Sequence, residues 1–466
     1  MGFQSMTAKT IISELAEYSV EQCRVGLNAD VVHAAKRAII DWFASLLPGT
    51  LVEPALSLRR AHVHELGLGY SSLPGCATTA LPATAAWING GTSHAVEFDD
   101  IFRDAVYHPG CPTVSSALAL AEHLQASGMQ MLKAVTMGYE ISTRIGVAVQ
   151  PSHYRYFHTT GTVGCFGAAA AAATLLAPGS AKVAAHALAT SATFASGLQQ
   201  AFRSDAMSKA LHAGHAAWVG VTSAQGAASG VTGVLDILEG DVGFGKALAG
   251  DTQWSKATEA LGRRFNIKDI TLKAHGCCGH TFAAIDGILA LRTVHDLCIH
   301  DIESVEIYTY KAAIDVAGIR DPKSVFECKF SLPYVVAHAA KYGSVRISAF
   351  SDDRMADPEI RSLTARVALF ADAVLTASFP VKRAARVRVI LKGGRALEHF
   401  SPYRQGDPES PLTDERIDDK FKELVSPVLG DGDAARLLER LWTLETLADI
   451  RDLRLAAYSG QSGMAS

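Results

Sequence analysis

The feature that most constrains the fold of this chain is the run TVGCFGAAAAAATLL, Thr162 to Leu176. Alanine has the best helix propensity, so this run reads as helix. It is apolar on every side, and a helix without a polar face must be surrounded by other elements. The run is therefore expected at the centre of a helical bundle, with small residues letting neighbours approach closely. Helical segments of similar texture lie around it. VVHAAKRAIIDWFASLL (Val31 to Leu47) sets Ala35, Ile39, Trp42, Phe43 and Leu46 on one stripe, with Asp30 as expected N-cap and Pro48-Gly49 as expected stop. Val114 to Gly128, Met131 to Val149 and the Ala/Gly-rich segment after Lys209 repeat the pattern. Up to about Leu261 no segment reads as a strand.

Beyond Asn266 the texture changes to short β-branched pieces. Asp301 to Tyr310 is one. Ala385 to Phe400 is another: it alternates Val387, Val389 and Leu391 with Arg386, Arg388 and Lys392, then turns at Gly393-Gly394 as a hairpin with one buried face. The expected fold class is thus mainly α with a second α/β domain. The expected layout is an all-helical domain over 1–266, a small α/β domain over 267–405, and helices over 406–466 that return to the first. At 466 residues two domains are in keeping with the limits of a single core. The net charge of −4 supplies no basic field for nucleic acid or an anionic membrane. No apolar run reaches the roughly 20 residues of a bilayer span, and the N-terminus lacks a signal-peptide core. Eight scattered cysteines read as reduced thiols, so the expected compartment is the cytoplasm.

Four polar clusters interrupt the apolar background. Ala86 to Thr113 packs His94, Glu97, Asp99, Asp100, Arg103, Asp104 and His108 beside Gly90, Gly91, Pro109, Gly110 and Pro112. Tyr154 to Gly164 places Tyr156 and His158 ahead of Thr159, Thr160 and Gly161; a hydroxyl-rich helix start suits a carboxylate. The third carries Arg203, Asp205, Lys209, His212 and His215, with Lys209 and His212 three apart on one helix face. The fourth, KAHGCCGHTFAAID, has Lys273, His275 and His280 around adjacent cysteines. A zinc reading of that turn is disfavoured, because neighbouring cysteines serve one tetrahedral ion poorly and no second pair exists. Arg103 and His108 likewise argue against an oxygen cage for Mg²⁺ at Glu97, Asp99 and Asp100. No dinucleotide fingerprint, Walker loop or nucleophile elbow is present. What remains is a site without cofactor or metal, built from lysine, histidine, tyrosine, arginine and carboxylates. Cations bind substrate carboxylates and stabilise enolate-like charge, while a lysine, histidine or tyrosine moves the adjacent proton. Elimination, decarboxylation and epimerisation all fit that inventory.

Taken together, NGGTSHAVEFDD…HPG, FHTTGTVG, SKALHAGHAA and K-x-x-x-C-C-x-H resemble the MmgE/PrpD family, over roughly Thr10 to Leu455. That family includes 2-methylcitrate dehydratase, cis-aconitate decarboxylase and iminodisuccinate epimerase. The resemblance implies a large helical domain, a smaller α/β lid, a homodimer and a metal-independent site in the cleft between domains. It also implies roles for Asp99 or Asp100, His108, His158, Lys209 and Lys273. The dehydratase branch typically carries Asn-Asp-Thr-Trp where this chain has Asp99-Asp100-Ile101-Phe102. The decarboxylase branch usually carries threonine at Ile101 and a lid tyrosine near Ala313 or Ile314, although Tyr310 is close enough to confuse the alignment. These departures direct the expectation toward epimerisation of iminodisuccinate. Lys209 and Tyr156 would be the two bases, and Asp99 or Asp100 would orient a histidine. His108, His158, Arg203, Lys273 and His280 would hold carboxylates of a small polycarboxylate, with His212 and Arg103 also in the binding set.

Overall fold

The computed structural model describes residues 9–202, 206–379 and 381–458. Packing divides the chain into one unit of Met1–Thr271 with Asp414–Ser466 and another of Leu272–Thr413. The change of unit comes a few residues later than the sequence texture indicates. Ile101 and Thr271 exchange backbone hydrogen bonds of 2.9 and 2.8 Å, so the first β-branched residues after Asn266 still belong to the helical unit.

In the helical unit, α1 (Ala29–Gly49) starts two residues before Val31 and runs through Pro48. The Asn28 side chain makes no capping bond, and Asp30 lies inside the first turn. Two short strands, β1 (Ser71–Leu73) and β2 (Thr78–Ala80), pair antiparallel where no strand was expected. At three residues each they are too short for alternation to register. Next come α2 (Pro82–Ser93), α3 (Gly110–Leu124), α4 (Gly128–Val149), α5 (Gly164–Leu176), α6 (Ala181–Thr193) and α7 (Ser208–Ala228).

The alanine helix α5 packs against α3, α4, α6 and α7, and Ala168 to Ala173 are buried. The helical run Thr159–Leu176 is long and apolar enough to cross a bilayer, yet 83% of it is buried. Its alanines serve close packing. A Cβ on Gly220 of α7 would lie 2.2 Å from the Ala168 Cβ. Gly220→Ala should therefore destabilise the fold by about 1–3 kcal/mol through overpacking, despite a propensity gain of about 1 kcal/mol. Urea unfolding measures the sign; a more stable variant would show that these helices can move apart freely. A second close approach fixes the site. A Cβ on Gly90 of α2 would meet the Gly214 Cα of α7 at 2.8 Å, so these helices run almost backbone to backbone.

In the second unit, α8 (Phe282–His295) and α9 (Leu332–Tyr342) pack with a four-stranded sheet of order β4-β3-β5-β6. Its strands are β3 (Ile302–Thr309), β4 (Val367–Ala371), β5 (Ala385–Leu391) and β6 (Ala396–Ser401). The hairpin β5–β6 turns at Gly393-Gly394, with Gly394 at φ +80°, and buries Val387 and Val389. The parallel pairing of β3 with β4, Val305 opposite Val367, makes the sheet mixed. The chain then returns to the helical unit as α10 (Asp414–Leu429) and α11 (Asp431–Trp442), both packed on α1. Buried Lys420 on α10 pairs with Asp41 at 2.6 Å and donates to the Phe98 carbonyl at 3.0 Å.

Candidate active site

His94 terminates α2, and the chain then makes a tight acidic turn in which Glu97 takes a left-handed φ of +63°. A non-glycine residue there is strained and is held by its surroundings. The two aspartates that follow have different partners. Asp99 is buried, and its Oδ2 accepts from His94 Nδ1 at 2.7 Å. His108 Nδ1 lies 2.9 Å from the same oxygen, and the Cys111 thiol donates to it at 3.2 Å. Asp100 instead accepts from the Gly110 N–H at 3.0 Å and the Tyr139 hydroxyl at 2.7 Å. Burial, then the neighbouring Asp41 carboxylate, pushes Asp100 up to about 8, so it is mainly a neutral acid at pH 7.

A second imidazole pair adjoins the first. The His158 ring stacks on His94 with centroids 5.5 Å apart, and its Nδ1 lies 3.0 Å from His212 Nδ1. One of these nitrogens must donate and the other accept, which requires at least one neutral ring. Burial, reinforced by nearby His94 and Lys209, pushes His158 well below its usual range. Burial brings His212 down to about 4. Lys209, three residues earlier on α7, forms an ion pair with Glu97. Burial alone would pull the lysine down, but the Glu97 carboxylate more than offsets it, and the ammonium is held above its usual range. Its Nζ sits 5.2 Å from the Phe202 ring, which in turn packs edge-on to His158.

Asp99, His108, His158, Lys209 and His212 therefore converge in the helical unit. Others do not join them. Asp100 faces Tyr139 on α4. Tyr156, expected as a base, is 60% exposed, and the Arg155 guanidinium lies 5.2 Å from its ring. His158, two residues on, is buried, and its N–H bonds the Gly197 carbonyl at 2.8 Å. Lys209, expected as a base, is held as a cation beside Glu97. Arg103, on a short turn with its side chain 19% exposed, lies 3.8 Å from Asp104. Arg203 lies outside the described residues.

Lys273 and His280 belong to the second unit. Lys273 is buried, and His280 Nδ1 pairs with the Tyr310 hydroxyl at 2.7 Å. Burial brings His280 down to about 3. Around the adjacent cysteines, His275 bonds Asp286 at 2.9 Å and Cys277 bonds Thr281 at 3.1 Å. His275 and Cys277 thus have separate partners. Among the described residues, one trio of ligand-capable groups falls within 4.8 Å: His94, Asp99 and Cys111. The sequence places His94 and Glu97 in the first polar cluster but gives His94 no role and does not pair Glu97 with Lys209, since the ion partners are 112 residues apart.

A helical unit bearing buried imidazoles, a carboxylate and a paired ammonium, with a mixed-sheet unit inserted before the last helices, defines an α plus α/β protein with an acid–base type of polar site. The chain belongs to the MmgE/PrpD family: residues 13–257 match its N-terminal domain and 275–445 its C-terminal domain. It is similar to a cis-aconitate decarboxylase-like protein of Aspergillus oryzae, at 26% identity over 97% of this chain and 98% of that one. It is also similar to human cis-aconitate decarboxylase, at 26% identity over 95% of this chain and 94% of the relative. The mouse cis-aconitate decarboxylase matches at 25% identity over 91% and 88%.

Proposed function

We propose that the chain is a lyase that needs no cofactor and acts beside a carboxylate of a small polycarboxylic acid, decarboxylating an unsaturated tricarboxylate of the cis-aconitate kind. The observation that carries this reading is the buried Asp99 carboxylate between two imidazoles, beside a lysine held as a cation. In the reaction, the bond to the allylic carboxylate breaks and carbon dioxide leaves. The electron pair shifts the double bond and places charge on the carbon next to a remaining carboxylate. That carbon takes one proton, giving a methylene-substituted dicarboxylate. His108, backed by Asp99 and with its side chain 16% exposed, is the proton donor. Lys209 stabilises the charge that develops on the carboxylate.

The relatives are named as decarboxylases, and epimerisation fits the geometry less well. A two-base epimerase needs a proton acceptor on each face of one carbon. Tyr156 is largely exposed and Lys209 carries its proton. The test is to incubate the protein in D₂O with cis-aconitate, 2-methylcitrate and iminodisuccinate and follow each by proton NMR. The expected result is carbon dioxide release from cis-aconitate with one deuteron in the product. Solvent exchange of iminodisuccinate without loss of carbon would overturn the lyase reading in favour of an epimerase. A new alkene from 2-methylcitrate alone would make the protein a dehydratase.

A further inference from the structure

We infer that His94 is a positioning residue of this chemistry: through Nδ1 it shares Asp99 Oδ2 with His108, and through its ring it holds His158 in place. The inference rests on the lyase reading for its kinetic consequences. Its geometry stands independently. The side chain of His94 is fully buried, at 0% exposure, so it acts through its neighbours. Its Nδ1 donates to Asp99 at 2.7 Å, while His108 Nδ1 approaches the same oxygen at 2.9 Å. The rings of His94 and His108 stand 4.9 Å apart and tilted by 64°, and His94 is stacked on His158. His94 Nε2 is buried with no hydrogen-bond partner. A buried polar atom left unpaired is costly, so the ring is held in place by what its other edge and faces do.

One carboxylate oxygen between two imidazoles divides its charge between them. With His94 present, Asp99 supports His108 only in part, and removing His94 leaves Asp99 Oδ2 to His108 and the weaker Cys111 thiol donor. The charged form of His108 is then stabilised and its titration midpoint rises. Other groups bear on this midpoint: Cys111 on α3, Lys209 and His212 on α7, and His158 before α5 contribute, with the neutral acid Asp100 next in the chain. Because the proposed donor must be charged, the basic limb of the rate profile should move to higher pH when His94 is lost.

Three variants test this. In His94→Asn the amide nitrogen falls near the place of Nδ1 and can still donate to Asp99. In His94→Gln it falls near Nε2 and cannot. Turnover should drop about 10- to 100-fold in His94→Ala and His94→Gln with KM little changed, and His94→Asn should recover to within about threefold of wild type. The basic limb should move up by at least about half a unit in His94→Ala. Equal losses in Asn and Gln, or an unmoved limb, would overturn the inference. If His94→Ala does not fold, the Asn–Gln comparison decides alone. Histidine-¹⁵N NMR of the full chain supplies a readout free of turnover. A wild type inactive on every polycarboxylate sinks the lyase reading, and an unmoved His108 midpoint in the variants sinks this one.

Discussion

Lys209→Met should lower kcat/KM by about 10²- to 10⁴-fold on any substrate the protein turns over, while unfolding stability changes far less. The reasoning starts from burial. A lysine removed from water loses its charge unless a partner holds it. Here the Glu97 carboxylate is that partner, and it more than offsets the desolvation that pulls the lysine down. Methionine keeps much of the length and removes the charge, so the variant tests the ammonium itself. Glu97→Gln makes the companion test with a defined sign. Without the carboxylate, desolvation dominates and the lysine midpoint falls. If the cation is what turnover needs, activity then falls as pH rises through the lowered midpoint, while wild type stays active at the same alkaline pH. A kcat/KM–pH profile of the two proteins checks this. If Glu97→Gln lost activity equally at all pH values, the role of Glu97 would be direct and not exercised through the lysine.

Some of this was legible from residue pattern alone. The alanine helix has no polar face and therefore had one place to go, the centre of its unit. The hairpin after Ala385 shows both its alternation and its Gly-Gly turn, two local signals that agree. Lys209 and His212 share a helix face by spacing, and the structure sets both beside His158. What escaped was non-local or too short to show a period. Strands β1 and β2 offer three residues each. The parallel β3–β4 pair joins segments with a long stretch of helix between them, and nothing in either segment names its partner. Lys420 meets Asp41 across 379 positions. At the site, alternation along the chain could not say which of Asp99 and Asp100 faces histidine. That choice depends on the left-handed Glu97 and on a tyrosine from α4. Composition does not report direction either: Tyr156 lies two residues from His158, yet one side chain is exposed and the other buried.

The two aspartates should separate sharply under the same substitution. Asp99→Asn is expected to reduce kcat by about 10³- to 10⁴-fold, the scale seen when an amide replaces the carboxylate that orients a catalytic imidazole. An asparagine in that place can accept from one histidine, but it carries no charge to support an imidazolium. If its amide nitrogen turns toward His94 or His108, it forces the other tautomer on that ring. Asp100→Asn should leave kcat within about tenfold, because at neutral pH it exchanges one neutral group for another of the same shape. Its signature is in stability. Asp100 has a folded-state midpoint of about 8 against an unfolded value of about 3.9, so the folded state binds the extra proton between them. The resulting stability is complete below the unfolded value and is lost as pH rises through the folded one, at no more than about 1.4 kcal/mol per pH unit. Asp100→Asn should therefore gain on wild type as pH is raised from 5 to 9, with denaturant midpoints as the measurement. Parallel stability curves for the two proteins would mean that Asp100 is ionised in the fold. A large loss of turnover in Asp100→Asn with Asp99→Asn active would reverse the assignment of the two carboxylates.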